Sequence, residues 1–155
     1  MEQRLNPYQT RPKVINALSG MSIYLAKSAI EHSLLNLVHF RVSQINGCAY
    51  CLDMHSKDMR AMGEPEQRLY LISAWREAPF YSDRERAALA WAEAVTKLTG
   101  ADVPDEVYEE ARAQFSEEEL VDLTIGVIAI NSYNRMNVAF RVEAGSYQPG
   151  QHAVK

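Results

Sequence analysis

Apolar residues recur along this chain at intervals of three and four rather than two, and that periodicity points to an all-α architecture. From Ile30 to Ile45, the residues Leu34, Leu35, Val38, Val42 and Ile45 fall on one arc, which predicts an amphipathic helix with that arc on the core. Ala49 to Met62 reads as the next helix, stopped at Gly63, and Glu64 with Pro65 opens another through Trp75. After a break at Pro79, Ser82 with Glu85 forms a capping-box pattern ahead of a helix over Arg86 to Leu98, ended by Gly100. Asp102 and Pro104 start a shorter helix to Phe115. Ser116 with Glu119 repeats the capping box before a last helix, Glu117 to about Val142. That helix is apolar on most sides, so it must be enclosed at the centre of the domain or by another subunit.

The chain has 155 residues, 47% hydrophobic and 23% charged, which suits one globular domain able to bury its own core. The expected domain spans the whole chain with its core at about 30–142; Met1 to Pro12 reads as an arm and Gly145 to Lys155 as a loosely ordered tail. A formal charge of -4 without a Lys/Arg cluster argues against a nucleic-acid partner. No apolar run approaches the ~20 residues that span a bilayer, and Met1 to Thr10 lacks a signal-peptide core, so the expected location is the cytoplasm, with no membrane partner.

The chemistry concentrates at Cys48, Ala49, Tyr50, Cys51. Asn46 and Gly47 before it fit a helix entry, where unsatisfied amides and the helix dipole favour a thiolate. Cys51 and His55 are four apart and share a face, so the imidazole can take the thiol proton, while Cys48 is placed to resolve what Cys51 forms. Two other readings compete. A zinc site would need Cys48, Cys51, His55 and a fourth ligand such as His39 or His32; alternatively the cysteines are buried and structural, with an incidental histidine. Redox chemistry is preferred, because a loop of two residues constrains the unfolded chain little and a second cysteine pair is missing.

The run from Arg41 to His55 resembles the signature of the alkylhydroperoxidase D-like (AhpD-like) branch of the carboxymuconolactone decarboxylase family. Glu85 to Thr96 with Trp91, and Asn131, Tyr133, Asn134, Arg135, Met136 and Asn137, are similar to that branch as well. The resemblance implies a compact all-α fold, peroxide reduction through the cysteine pair, and trimers or hexamers. It assigns Cys51 as the thiol that attacks peroxide and Cys48 as the resolving thiol, with a lipoylated protein or similar external dithiol as reductant and no metal or organic cofactor. Decarboxylase members proper generally lack the pair; lactone lyase activity and a non-enzymatic redox sensor are the alternatives.

Two positions depart from the pattern. Asn36 stands where the branch has a glutamate feeding its proton relay, and Asn cannot act as a general base near neutral pH. Tyr50 stands where founding members have a histidine between the cysteines. A replacement base can be sought in the stripe His32, Asn36, His39, Ser43, although a solvated helix face accounts for such spacing equally simply. Asn131, Asn134 and Asn137 recur every three residues in an apolar helix and should hydrogen-bond across a helix pair or subunit contact. Trp75, Phe80, Tyr81 and Trp91 are candidates for a peroxide pocket, with core packing the simpler role.

Overall fold

Side-chain caps mark where half of the described α-helices begin. The computed structural model describes residues 2–98 and 102–152, all helix, turn or loop. A short α1, Pro7–Thr10, is capped by Asn6, whose side chain accepts from the Tyr8 and Gln9 amides; α2, Pro12–Leu25, opens on a proline. The predicted helix around Ile30 to Ile45 is α3, His32–Asn46, and the next is α4, Ala49–Ala61, with Gly63 at φ 89° just beyond it. Then come α5, Glu66–Leu71, α6, Asp83–Thr96, α7, Asp105–Gln114, and α8, Glu117–Phe140. Both capping boxes form: Ser82 with Glu85 at α6, and Ser116 with Glu119 at α8. The first box starts α6 at Asp83 rather than Arg86, since Ser82 is itself the N-cap. Gly100 lies outside the described residues.

The helix predicted through Trp75 divides. It is α-helical only to Leu71 and tightens into a 3₁₀ turn at Ile72–Ala74. Leu69, Ile72, Trp75 and Ala78 are all buried at intervals of three, and a 3₁₀ turn, with three residues per turn, keeps such residues in one line. They pack with Leu37, Phe40, Met59 and Leu89 in one of two core clusters. Trp75 and Tyr81 belong to this core, and the Trp91 indole donates to Thr124 Oγ1, so these aromatics serve burial; Phe80 is 41% exposed.

The larger cluster joins α3 to α8. Leu34, Leu35, Val38 and Val42, four of the five residues of the arc predicted for α3, meet Leu120, Leu123, Val127 and Ile130 of α8, and α6 closes against both through Ala87, Ala88 and Ala92; the fifth, Ile45, is half-buried. Gly126 lets the two long helices approach, since a Cβ there would lie 2.9 Å from Leu35 Cδ2. The asparagines of α8 make the expected bridges. Asn46 Nδ2 donates to Asn131 Oδ1 and Asn134 Oδ1, both at 2.9 Å, and Asn134 Nδ2 donates to Ser43 Oγ at 3.1 Å.

Both chain ends depart from expectation. The N-terminal segment is docked on the end of α8, with the Arg4 amide donating to the Phe140 carbonyl at 3.1 Å and its guanidinium to the Ala139 carbonyl at 3.0 Å. Residues 145–152 are held on α4 rather than loose: the Tyr147 side chain is buried and donates to Asp58, and Lys57 Nζ donates to the Gly145 and Tyr147 carbonyls. A buried tyrosine hydrogen-bonded to a half-buried carboxylate overrides the turn-forming composition of that segment.

Leu123 is fully buried at the α3–α8 seam. Leu123→Ala should lower the free energy of unfolding by about 2–5 kcal/mol. Urea denaturation followed by circular dichroism reads this, and an unchanged midpoint would mean that the seam is not the principal core.

Candidate active site

The end of α3 delivers the first cysteine. Gly47 adopts a left-handed conformation, φ 65° and ψ 33°, and the chain turns there with the Gly47 amide donating to the Gln44 carbonyl and the Cys48 amide to the Ser43 carbonyl. Cys48 thereby becomes the N-cap of α4, and its Sγ accepts the Cys51 backbone amide at 3.4 Å. A cysteine at an N-cap has its sulfur in the partial positive charge of the helix start, as expected for this pair. Cys48 and Cys51 form a disulfide with their Cα atoms 5.4 Å apart. Both residues are only 1% exposed.

The surroundings of the two sulfurs differ. The amide at the helix start is used by Cys48, so Cys51 draws on another element: Asn137 of α8, whose Nδ2 donates to Cys51 Sγ at 3.3 Å. Asn137 is itself held by Tyr8 of α1, whose hydroxyl donates to Asn137 Oδ1 at 2.8 Å. Burial raises the Tyr8 pKa to about 12, which keeps this hydroxyl protonated as a donor. Neither contact was expected from the sequence, where Tyr8 lay in an arm and Asn137 counted as structural.

His55 is one turn beyond Cys51 on α4 and is buried. His39 of α3 packs against it, with ring centroids 5.3 Å apart and the planes tilted by 57°. His39 Nε2 and both ring nitrogens of His55 are buried and find no hydrogen-bond partner among the described residues. Burial pushes the His39 pKa down to about 4; burial, then proximity to His39, pushes His55 well below the ordinary histidine value. Both imidazoles are neutral at pH 7.

The remaining candidates separate. Ser43 of the predicted stripe is buried and donates from Oγ to the His39 carbonyl at 2.7 Å, while His39 is half-buried with its Nε2 atom enclosed, so the solvated-face reading fails for Ser43 and for the ring edge of His39. His32 is exposed at the start of α3, roughly 10 Å along the axis from His39 at 1.5 Å per residue. Asn36 is half-buried and turns its Nδ2 toward Met62 Sδ, 4.0 Å away at the far end of α4. Tyr50 projects outward from the cysteine loop, and its hydroxyl pairs with His152 Nε2 of the C-terminal segment at 2.9 Å. Among the described residues, no cluster of three or more His, Cys, Asp and Glu side chains is placed to hold a metal.

Comparison with known proteins agrees with this geometry. The family model described as the carboxymuconolactone decarboxylase family matches residues 12–94. The uncharacterized protein YdfG of Bacillus subtilis (strain 168) is 42% identical over 146 residues, 94% of this chain and 99% of its own length. A protein of unknown function from Agrobacterium tumefaciens, provisionally assigned to antioxidant defence as AhpD, is 41% identical with a TM-score of 0.90, over 94% of this chain and all of that one. The chain belongs to the carboxymuconolactone decarboxylase family, in its AhpD-like branch. The debrominase Bmp8 shares the fold at 24% identity and a TM-score of 0.77, over 89% of this chain and 74% of that one. In this AhpD-like protein the cysteine pair is therefore set in a fold that is also seen in that debrominase.

The two neutral imidazoles make a prediction about stability. Their folded-state pKa values are depressed, so between about pH 6.5 and about 4 the unfolded chain binds protons that the folded chain does not. Stability should be complete above about pH 6.5 and fall as the pH drops through that window, with His39 alone contributing on the order of 3 kcal/mol. Urea midpoints measured across this range should fall less steeply in His39→Leu than in the parent, and parallel slopes would contradict the assignment.

Proposed function

We propose that this protein is a thiol-dependent peroxidase in which Cys48 and Cys51 cycle between dithiol and disulfide. The observation that carries the reading is the disulfide-bonded pair itself, with a hydrogen-bond donor on each sulfur and an unpartnered neutral imidazole, His55, one turn from Cys51.

In the reduced protein His55 accepts the Cys51 thiol proton. The thiolate attacks one oxygen of the peroxide, the O–O bond breaks, and the departing alkoxide takes the proton from His55 to leave as alcohol. Cys51 is then a sulfenic acid. The Cys48 thiolate, favoured by the amide at the helix start, attacks the Cys51 sulfur, and the hydroxide leaves with the Cys48 proton as water. An external dithiol, a lipoylated protein or similar carrier, reduces the disulfide by exchange and is itself oxidised. A buried imidazole of depressed pKa is a weak base but a strong acid once protonated, which suits protonation of the leaving oxygen. His39 stands beside it as the second member of the relay, in the absence of a carboxylate at Asn36.

The protein functions as a homo-oligomer in this reading. Val121, Ile128 and Val138 are 61%, 43% and 47% exposed along the outer face of α8, and Ile23 and Tyr24 of α2 are exposed as well. A second copy is the occupant that the family resemblance implies for this face, as trimers or hexamers.

Peroxide consumption with dihydrolipoamide as reductant should be abolished in Cys51→Ser and fall by about 10²–10⁴-fold in His55→Phe. Turnover of a small lactone that survives in Cys51→Ser, with no peroxide consumed by the parent, would replace the peroxidase by a lyase. Light scattering at micromolar concentration should give a mass above one chain, and Ile128→Glu should reduce it; a stable monomer would remove the oligomer from the account.

A further inference from the structure

Cys51 sits in surroundings that oppose its ionisation. It is 1% exposed, and burial of a thiol favours the neutral form. The helix start does not relieve this directly, because the Cys51 amide is directed to Cys48 Sγ and the Cys51 side chain lies one turn into α4. His55 can accept the proton but, when neutral, supplies no charge to hold the thiolate that remains. The one donor aimed at Cys51 Sγ among the described residues is the carboxamide of Asn137.

That carboxamide is fixed in orientation. A thiolate and a disulfide sulfur both accept hydrogen bonds and neither donates, so the amide must present Nδ2, not Oδ1, to Cys51. Tyr8 holds it that way by donating to Oδ1 at 2.8 Å from the opposite side. Asn137 is 3% exposed, so water does not compete for either end. Tyr8 reaches this point because the N-terminal segment is docked on the end of α8 through Arg4. Both residues lie outside the 12–94 span matched by the family model.

We propose that Asn137 is a catalytic residue, its carboxamide N–H stabilising the Cys51 thiolate, and that Tyr8 is the positioning residue that holds this carboxamide. The inference rests on Cys51 being the attacking thiol. It assigns to the first ten residues of the chain a part in the chemistry of a cysteine on another helix. The same hydrogen bond also lowers the free energy of Cys51 as a leaving thiolate when the external dithiol attacks Cys48 of the disulfide.

The test titrates the Cys51 thiolate by its ultraviolet absorbance in the reduced Cys48→Ser protein and follows its alkylation by iodoacetamide at neutral pH. Adding Asn137→Leu should raise the midpoint by about one to two pH units, the size expected for losing a hydrogen bond to a charged group, and slow alkylation accordingly. Tyr8→Phe leaves Asn137 in place and should raise the midpoint by a smaller amount. An unchanged midpoint in Asn137→Leu overturns the proposal. A shift in Asn137→Leu with none in Tyr8→Phe overturns the role of Tyr8, and if Asn137→Leu does not fold, as judged by circular dichroism, Tyr8→Phe decides alone. These readouts need no peroxide. A parent protein that consumes none defeats the peroxidase reading while the midpoints still decide the role of Asn137.

Discussion

The seam between α3 and α8 is the contact on which the rest of the structure depends. It combines a dry apolar half, where Leu35, Val38 and Val42 meet Leu123, Val127 and Ile130, with a polar half in which Asn46, Ser43 and Asn134 satisfy one another. An apolar seam alone could slide by a helical turn at little cost. The polar pairs oppose this, because a shift would strand buried amides without partners. Fixed register matters here for a specific reason: α3 carries His39 and ends at the Gly47 turn that presents Cys48, whereas α8 carries Asn137. A slip of one turn would separate the carboxamide from the sulfur and move the backbone of Gly126 away from His39.

Charge is kept away from this centre. The buried ion pairs are elsewhere, as in Glu93, which accepts from Arg41 at 2.7 Å, Arg76 at 2.8 Å and the Trp75 indole at 3.0 Å. Both imidazoles are shifted down by burial, and His55 further by its proximity to His39. A glutamate at position 36 would bring a negative charge to a half-buried position of α3, at a desolvation cost. Asn36 carries no charge and turns its carboxamide to Met62.

Much of the fold was legible in the sequence because it is set locally. The capping boxes at Ser82 and Ser116, the arc of Leu34, Leu35, Val38 and Val42, and the placement of Cys48 at a helix start all follow from interactions within a few residues. The 3₁₀ turn at Ile72 had a signal that was overlooked: the spacing of three in Leu69, Ile72, Trp75 and Ala78, which an α-helix would spread around its surface. Other features had no local signal. Tyr8 meets Asn137 across 129 positions, and Asn137 meets Cys51 across 86, so neither contact leaves a pattern in either segment. The stripe from His32 to Ser43 lies on one helix, but helical spacing cannot say that His32 meets solvent, Asn36 and His39 are half-buried and Ser43 is enclosed. The packing of α4 and α8 decides that.

The two sulfurs of the pair are consequently tied to the fold in different ways. The donor to Cys48 is the amide of Cys51, part of the same turn of α4, so it persists as long as that turn is formed. The donor to Cys51 belongs to α8 and is oriented from α1, so it exists only in the fully docked domain. Partial loosening of the N-terminal segment would leave Cys48 supported while weakening the hold on Cys51. The thiol chemistry is in this sense conditional on tertiary structure at one cysteine and on secondary structure at the other. A two-residue spacing makes the pair chemically close, and the asymmetry of the supporting donors is what can give its members different tasks.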